Sequence, residues 1–237
     1  MSRSLKQGLV VALTVGLTAC ASAPPTLVKS DDTTTQSEQK SLTPDQVLAR
    51  LKAGHARFAA GKSIIYDFPA QVRSTGEGQY PMATILSCID SRTAPELIFD
   101  LALGDAFSPR IAGNFVNEDI LGSMEFASKV AGSKLILVLG HTHCGAIKGS
   151  CDDVKLGNLT GLLAKIRPAV DATANVGGAD RSSANADFVD AVAHTNVKVT
   201  VENIRKQSPV LAEMEAKGEI KIVGAMYNIE TGAVEFL

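Results

Sequence analysis

Apolar residues fall along this chain in two patterns. "ATILSC" (83–88) and "KLILVLG" (134–140) are unbroken runs. Such runs suit strands of a parallel sheet buried on both faces, where neither side meets water. Elsewhere the apolar positions recur at helical spacing. In "LTPDQVLARLKAGHARFAAGKS" (42–63), Val47, Leu48, Leu51 and Phe58 make one stripe. Thr43 is a good helix cap, Pro44 suits the first helical position, Gln46 completes a Thr-x-x-Gln capping box, and Gly61 stops the helix. "NEDILGSMEFASKVAG" (117–132) predicts a helix with an acidic first turn, and further helices are expected around 159–173 and 185–207. "SPVLAEMEAKG" (208–218) predicts a short helix with a serine cap, proline at its first position and glycine after its end. "IKIVGAMYNIETGAVEFL" (220–237) reads as two strands joined at "ETG". Strands alternating with helices, and no internal repeat, predict one α/β domain: a mostly parallel central sheet flanked by helices, closed by a C-terminal β-hairpin. In such sheets ligands gather outside the carboxyl ends of the strands.

The N-terminus departs from this pattern. Arg3 and Lys6 precede a short apolar segment, Gly8 to Leu17, too short to span a bilayer as a permanent helix. It ends in "LTAC", Leu17 to Cys20, which resembles a bacterial lipoprotein signal. That resemblance implies that Cys20 is lipidated and becomes the mature N-terminus. The other reading is an ordinary secretory signal cut near "ACASA". Both export the chain. The expected division is a signal peptide over 1–19, a lipidated cysteine and flexible linker over 20–41, and the folded domain over 42–237. The linker "ASAPPTLVKSDDTTTQSEQKS" is rich in Ser, Thr, Pro and charge and has little to bury. The expected address is the periplasm, with a lipid anchor as the one membrane contact.

Composition changes the picture mainly by exclusion. A net charge of -2, with no long Lys/Arg run, gives no basic field for nucleic acid. The chemistry lies at the strand ends. The first unbroken run ends in "CIDSR" (88–92) and the second continues into "HTHC" (141–144). Adjacent parallel strands would bring these ends together. Cys88 alone reads as a small buried hydrophobe. Joined by His141 and Cys144, it makes a set of two thiolates and an imidazole that suits zinc and leaves a fourth position for water, as catalytic zinc sites do. Asp90 is close enough in sequence to reach the metal or its water. Arg92 can fork the Asp90 carboxylate and hold it off the metal, ionised. A purely structural Asp90–Arg92 ion pair is the bland alternative. His143 reads as a solvent-facing turn residue, His55 and His194 as ordinary helix residues, and Cys151 as a leftover, buried thiol.

"CIDSR" followed by "HTHC" resembles the β-class carbonic anhydrases, whose signature is Cys-x-Asp-Ser-Arg and then His-x-x-Cys. "GQYPMATILSC" (78–88), "PRIAGN" (109–114), "GHTHCGAIKG" (140–149) and the closing hairpin extend the likeness over about 42–237. The resemblance implies Cys88, His141 and Cys144 as Zn2+ ligands, Asp90 and Arg92 as a catalytic gating pair, and Gln79 and the Gly145 amide as substrate contacts. It implies reversible hydration of carbon dioxide to bicarbonate and a proton, by a homodimer or a dimer of dimers. Four features depart from the family pattern: His143 between the two ligands, the absence of tryptophan, "TAPE" after Arg92, and export with a lipoprotein-like signal. Two alternatives stay open, a zinc hydrolase of carbon disulfide or carbonyl sulfide on the same fold, and a non-catalytic exported zinc-binding protein.

Overall fold

The computed structural model describes residues 30–237. The signal peptide expected over 1–19 and the lipidated Cys20 lie outside the described residues. Five strands, β1 (Ala83–Ser87), β2 (Ala106–Phe107), β3 (Leu135–His141), β4 (Lys221–Tyr227) and β5 (Val234–Phe236), form one sheet in the order β2-β1-β3-β4-β5. The first four run parallel and β5 is antiparallel to β4, which makes the C-terminal hairpin. Every residue of β1 and β3 is buried, as their unbroken apolar runs require.

Register then sets the site. Ser87, the last residue of β1, pairs with Leu139, and β3 continues two residues further to His141. Cys88 and His141 therefore leave the sheet at neighbouring carboxyl ends.

Helices cover both faces. One face carries α2 (Pro44–Ala59), whose Thr43–Gln46 capping box forms as the sequence predicts, and whose Val47 and Leu51 pack with Ile85, Leu137 and Leu139. Gly61, at φ +64°, ends it in the left-handed region that favours glycine. The other face carries α5 (Glu118–Glu125), α7 (Gly157–Ala172), α8 (Ala186–Gln207) and α9 (Pro209–Ala216), packed on Leu86, Ile136 and Val138. The helix expected over 117–132 starts at its Asn117 cap but passes into a π turn over Phe126–Val130. Short elements that the apolar periodicity does not predict complete the fold: α1 (Gln36–Ser41), α3 (Phe68–Thr75), α4 (Pro95–Ile98), α6 (Gly145–Cys151) and the two-residue β2.

The linker expected over 20–41 needs correction from Ser30 onward. Ser30 bridges to Tyr66, and α1 packs against the domain. Gln39 is buried and its Nε2 donates to the Pro81 and Ala131 carbonyls, both at 2.8 Å. A polar segment can order when it satisfies buried backbone acceptors rather than burying apolar area. Low hydrophobicity alone misses that contribution.

Candidate metal centre

Cys88 follows β1, His141 ends β3, and Cys144 precedes the first residue of α6. Between the last two the chain turns at His143, a left-handed residue at φ +55° whose N–H donates to Asp190 Oδ1 at 3.0 Å. The turn brings the three donor atoms within 4.8 Å of one another, and the two Sγ atoms lie 3.9 Å apart. Among the described residues this is the one cluster of its kind.

The local bonding prepares these atoms for a metal. The Thr142 carbonyl, 2.9 Å from His141 Nδ1, can only accept, so Nδ1 carries the proton and Nε2 presents its lone pair. Nε2 is buried and finds no protein partner. An unsatisfied buried nitrogen of this kind costs about 1–3 kcal/mol in an apolar core. Gly113 N–H donates to Cys88 Sγ at 3.4 Å. Hydrogen bonding from Cys144 pulls the Cys88 thiol well below its ordinary range, helped by His141 and Gly113. The same bond and burial push Cys144 up. One available thiolate, a second thiol beside it and a fixed imidazole lone pair match the nitrogen and sulfur donor set of a three-ligand zinc site.

Asp90 stands next to this cluster under restraint. Its Oδ1 accepts from the Arg92 backbone N–H at 3.0 Å and from Arg92 Nε at 2.9 Å, and its Oδ2 accepts from Arg92 Nη2 at 2.7 Å. Oδ2 lies 4.0 Å from His141 Nε2. Arg92 holds the carboxyl far below the usual carboxylate range.

The loop that carries Asp90 is fastened from outside. Arg110 Nε donates to the Cys88 carbonyl at 2.9 Å and Arg110 Nη2 to the Asp90 carbonyl at 2.6 Å. Thr93 Oγ1 donates to the Asp90 carbonyl at 3.0 Å. Gly113 sits at φ +80°, in the left-handed region that favours glycine, and a Cβ there would meet Ile166 Cδ1 at 2.4 Å. Asn196 of α8 donates to the Gly113 carbonyl at 2.8 Å. These supporting roles of Arg110, Thr93, Gly113 and Asn196 are ones that sequence reasoning did not assign. "PRIAGN" was the only signal, and it marked the segment without its contacts.

The structure does not bring every expected residue to the centre. Gln79 is exposed and lies before the amino end of β1, beside Lys40, Val130 and Lys134. Five strand residues, about 17 Å at 3.3 Å each, separate that end from Cys88. Within one chain Gln79 does not reach the centre, because the length of β1 runs between them. Gly145 begins α6 beside Cys144, exposed and with open space where a side chain would stand. His143 lies outside the ligand cluster, its Nε2 3.4 Å from Glu230 Oε1. Cys151 is half-buried and its thiol is pushed up by burial. His55 has a more specific role than a plain helix residue: Nδ1 donates to the Ile98 carbonyl at 3.2 Å and Nε2 accepts from Val234 N–H at 3.1 Å, tying α2 to the hairpin.

Residues 83–234 match the family described as carbonic anhydrase. A carbonic anhydrase of Mycolicibacterium smegmatis is 35% identical over 187 residues, covering 78% of this chain and 89% of that protein. Carbonic anhydrase 2 of Mycobacterium tuberculosis is 36% identical over 191 residues, covering 77% and 87%. Among solved structures, a Coccomyxa β-carbonic anhydrase in complex with acetazolamide aligns with a TM-score of 0.63 at 26% identity, over 81% of this chain and 84% of that one.

Proposed function

The chain belongs to the carbonic anhydrase family, and from that premise we propose that it is a β-class enzyme interconverting carbon dioxide and bicarbonate, exported and lipid-anchored through Cys20, and active as a homodimer. The observation that carries the chemistry is the buried lone pair of His141 Nε2, unpartnered and within 4.8 Å of two cysteine sulfurs. Cys88, His141 and Cys144 would hold Zn2+. When bound, zinc supplies a Lewis acid that makes water nucleophilic near neutral pH.

The chain's own residues do the rest. Asp90 Oδ2, the oxygen nearer His141, accepts a hydrogen bond from the attacking water and orients it. Arg92 keeps that carboxylate ionised and stops it from occupying the water's place. Arg110 fixes the backbone under both. The first-turn amide of a helix has no intrahelical partner, so the Gly145 N–H can receive a substrate oxygen. Gln79 could serve a substrate only at the centre of a second copy, which supports the dimer. The lipoprotein-like "LTAC" supports export and anchoring.

The test is zinc content measured beside stopped-flow hydration of carbon dioxide across pH. Stoichiometric zinc and hydration that rises with pH are expected. A fully zinc-loaded chain inert from acid to alkaline pH would overturn the catalytic reading.

A further inference from the structure

The amino end of the sheet, opposite the metal centre, carries an apolar face. Ile65, Phe68, Val72 and Leu103 are 41%, 55%, 58% and 41% exposed. Phe68 and Val72 are one turn apart on the same side of α3, and the Tyr66 ring lies 6.0 Å from the Phe68 ring. Leu103 joins them through its N–H, which donates to Gln71 Oε1 at 3.1 Å. Exposed apolar residues are ordinary singly; several gathered on one face mark an interaction surface.

A second observation says what covers it. The described chain begins on this face: Ser30 N–H donates to the Ile65 carbonyl and Asp67 N–H to the Ser30 carbonyl, both at 2.8 Å. Ser30 follows Cys20 by ten positions, so the anchoring point lies within roughly 35 Å of it even at full extension. The face is also fixed relative to the site. Met82 N–H donates to the Asp105 carbonyl, which places the 102–105 loop and α3 at the amino ends of β1 and β2, whereas the ligands leave the carboxyl ends of β1 and β3.

We propose that the face built from Ile65, Phe68, Val72 and Leu103 docks on the lipid surface that holds the acylated Cys20. The proposal rests on the lipid-anchor reading of Cys20. The segment 62–77 that carries most of the face holds Lys62 and Arg73, but also Asp67 and Glu77. Docking is therefore by shallow apolar insertion rather than by charge, and changes little with salt.

The chain has no tryptophan, so a single introduced indole is an unshared probe. The full-length lipoprotein is made as Phe68→Trp and, separately, as Val154→Trp beyond α6. Each is reconstituted into vesicles of phosphatidylethanolamine and phosphatidylglycerol with or without brominated acyl chains. Phe68→Trp should shift to the blue on the vesicles and lose intensity to the brominated lipid, equally at low and high salt, while Val154→Trp does neither. A chain shown by mass to be lipidated and bound to vesicles, with its Phe68→Trp unquenched, defeats the docking and leaves the anchor standing. An unmodified Cys20 defeats the anchor and the docking with it. A blue shift that appears without vesicles and grows with protein concentration assigns the face to a second copy and overturns the proposal.

Discussion

Asp90 lies two positions beyond one proposed zinc ligand and 4.0 Å from another, yet Arg92 occupies both of its oxygens. A free carboxylate at that distance would compete for the metal; a held one can only address what the metal binds. Asp90→Asn keeps the shape and removes the charge. It should retain zinc by mass spectrometry and lower carbon dioxide hydration by about 10²–10⁴-fold, the range for a positioned proton acceptor. Arg92→Ala tests the restraint. The sign follows from linkage: a carboxyl depressed in the folded state adds stability above its unfolded value near 4, and loses it as pH falls through the folded value. Wild type should therefore resist urea better than Arg92→Ala at neutral pH, and the difference should shrink well below pH ~4. A difference that stays constant into strong acid would mean that Arg92 acts through packing instead of through Asp90. The triad and this pair were legible in the sequence because Cys, His, Asp and Arg are uncommon at the ends of buried apolar runs. Arg110 and Asn196 were not, because they work through the backbone carbonyls of Cys88, Asp90 and Gly113, which any residue carries.

At the scale of elements, the centre is a junction of β1, β3, α6 and α8. α8 reaches it through Asn196, buried on the same side as Val192 and Val197. Asn196→Ala would leave the Gly113 carbonyl without its donor and free the segment whose N–H supports Cys88. The expected cost is about 1–3 kcal/mol of stability, from an unsatisfied buried acceptor, and about 10–100-fold in zinc affinity, from a lost outer contact. Chemical denaturation and chelator competition read the two separately. Loss of stability with unchanged zinc affinity would make Asn196 a plain core residue. The elements that the sequence predicts were legible for a related reason. β1 and β3 announce themselves as unbroken apolar runs, while α2, α8 and α9 do so by stripes and caps. α4, α6 and β2 have seven residues or fewer, too short for a stripe to declare, and contacts distant in sequence hold them. α1 is ordered by Gln39 binding two carbonyls, a signal that composition cannot carry.

At the scale of the whole molecule, one chain supplies the three proposed metal ligands and the Asp90–Arg92 pair but sends Gln79 to the other end of β1. Sequence likeness could mark Gln79 as a substrate contact. It could not say in which copy, because strand direction and assembly decide that. If Gln79 serves a second copy, then two crippled chains should repair one another. Gln79→Ala damages the centre of the neighbouring chain, and Asp90→Asn damages its own. A mixed two-fold dimer then holds one intact centre, with Asp90 from the first variant and Gln79 from the second, and one centre lacking both. Random pairing makes about half the dimers mixed, each with one working site of two, so co-expression should restore about a quarter of wild-type hydration. Each variant expressed alone should show only its own residual rate. If both residues acted within one chain, every site in the mixture would carry one lesion or the other, and hydration would stay at the average of the two variants. A mixture that remains at that average, with mixed dimers demonstrated by mass, would return Gln79 to the surface and leave substrate recognition to Gly145 and the residues around Asp90.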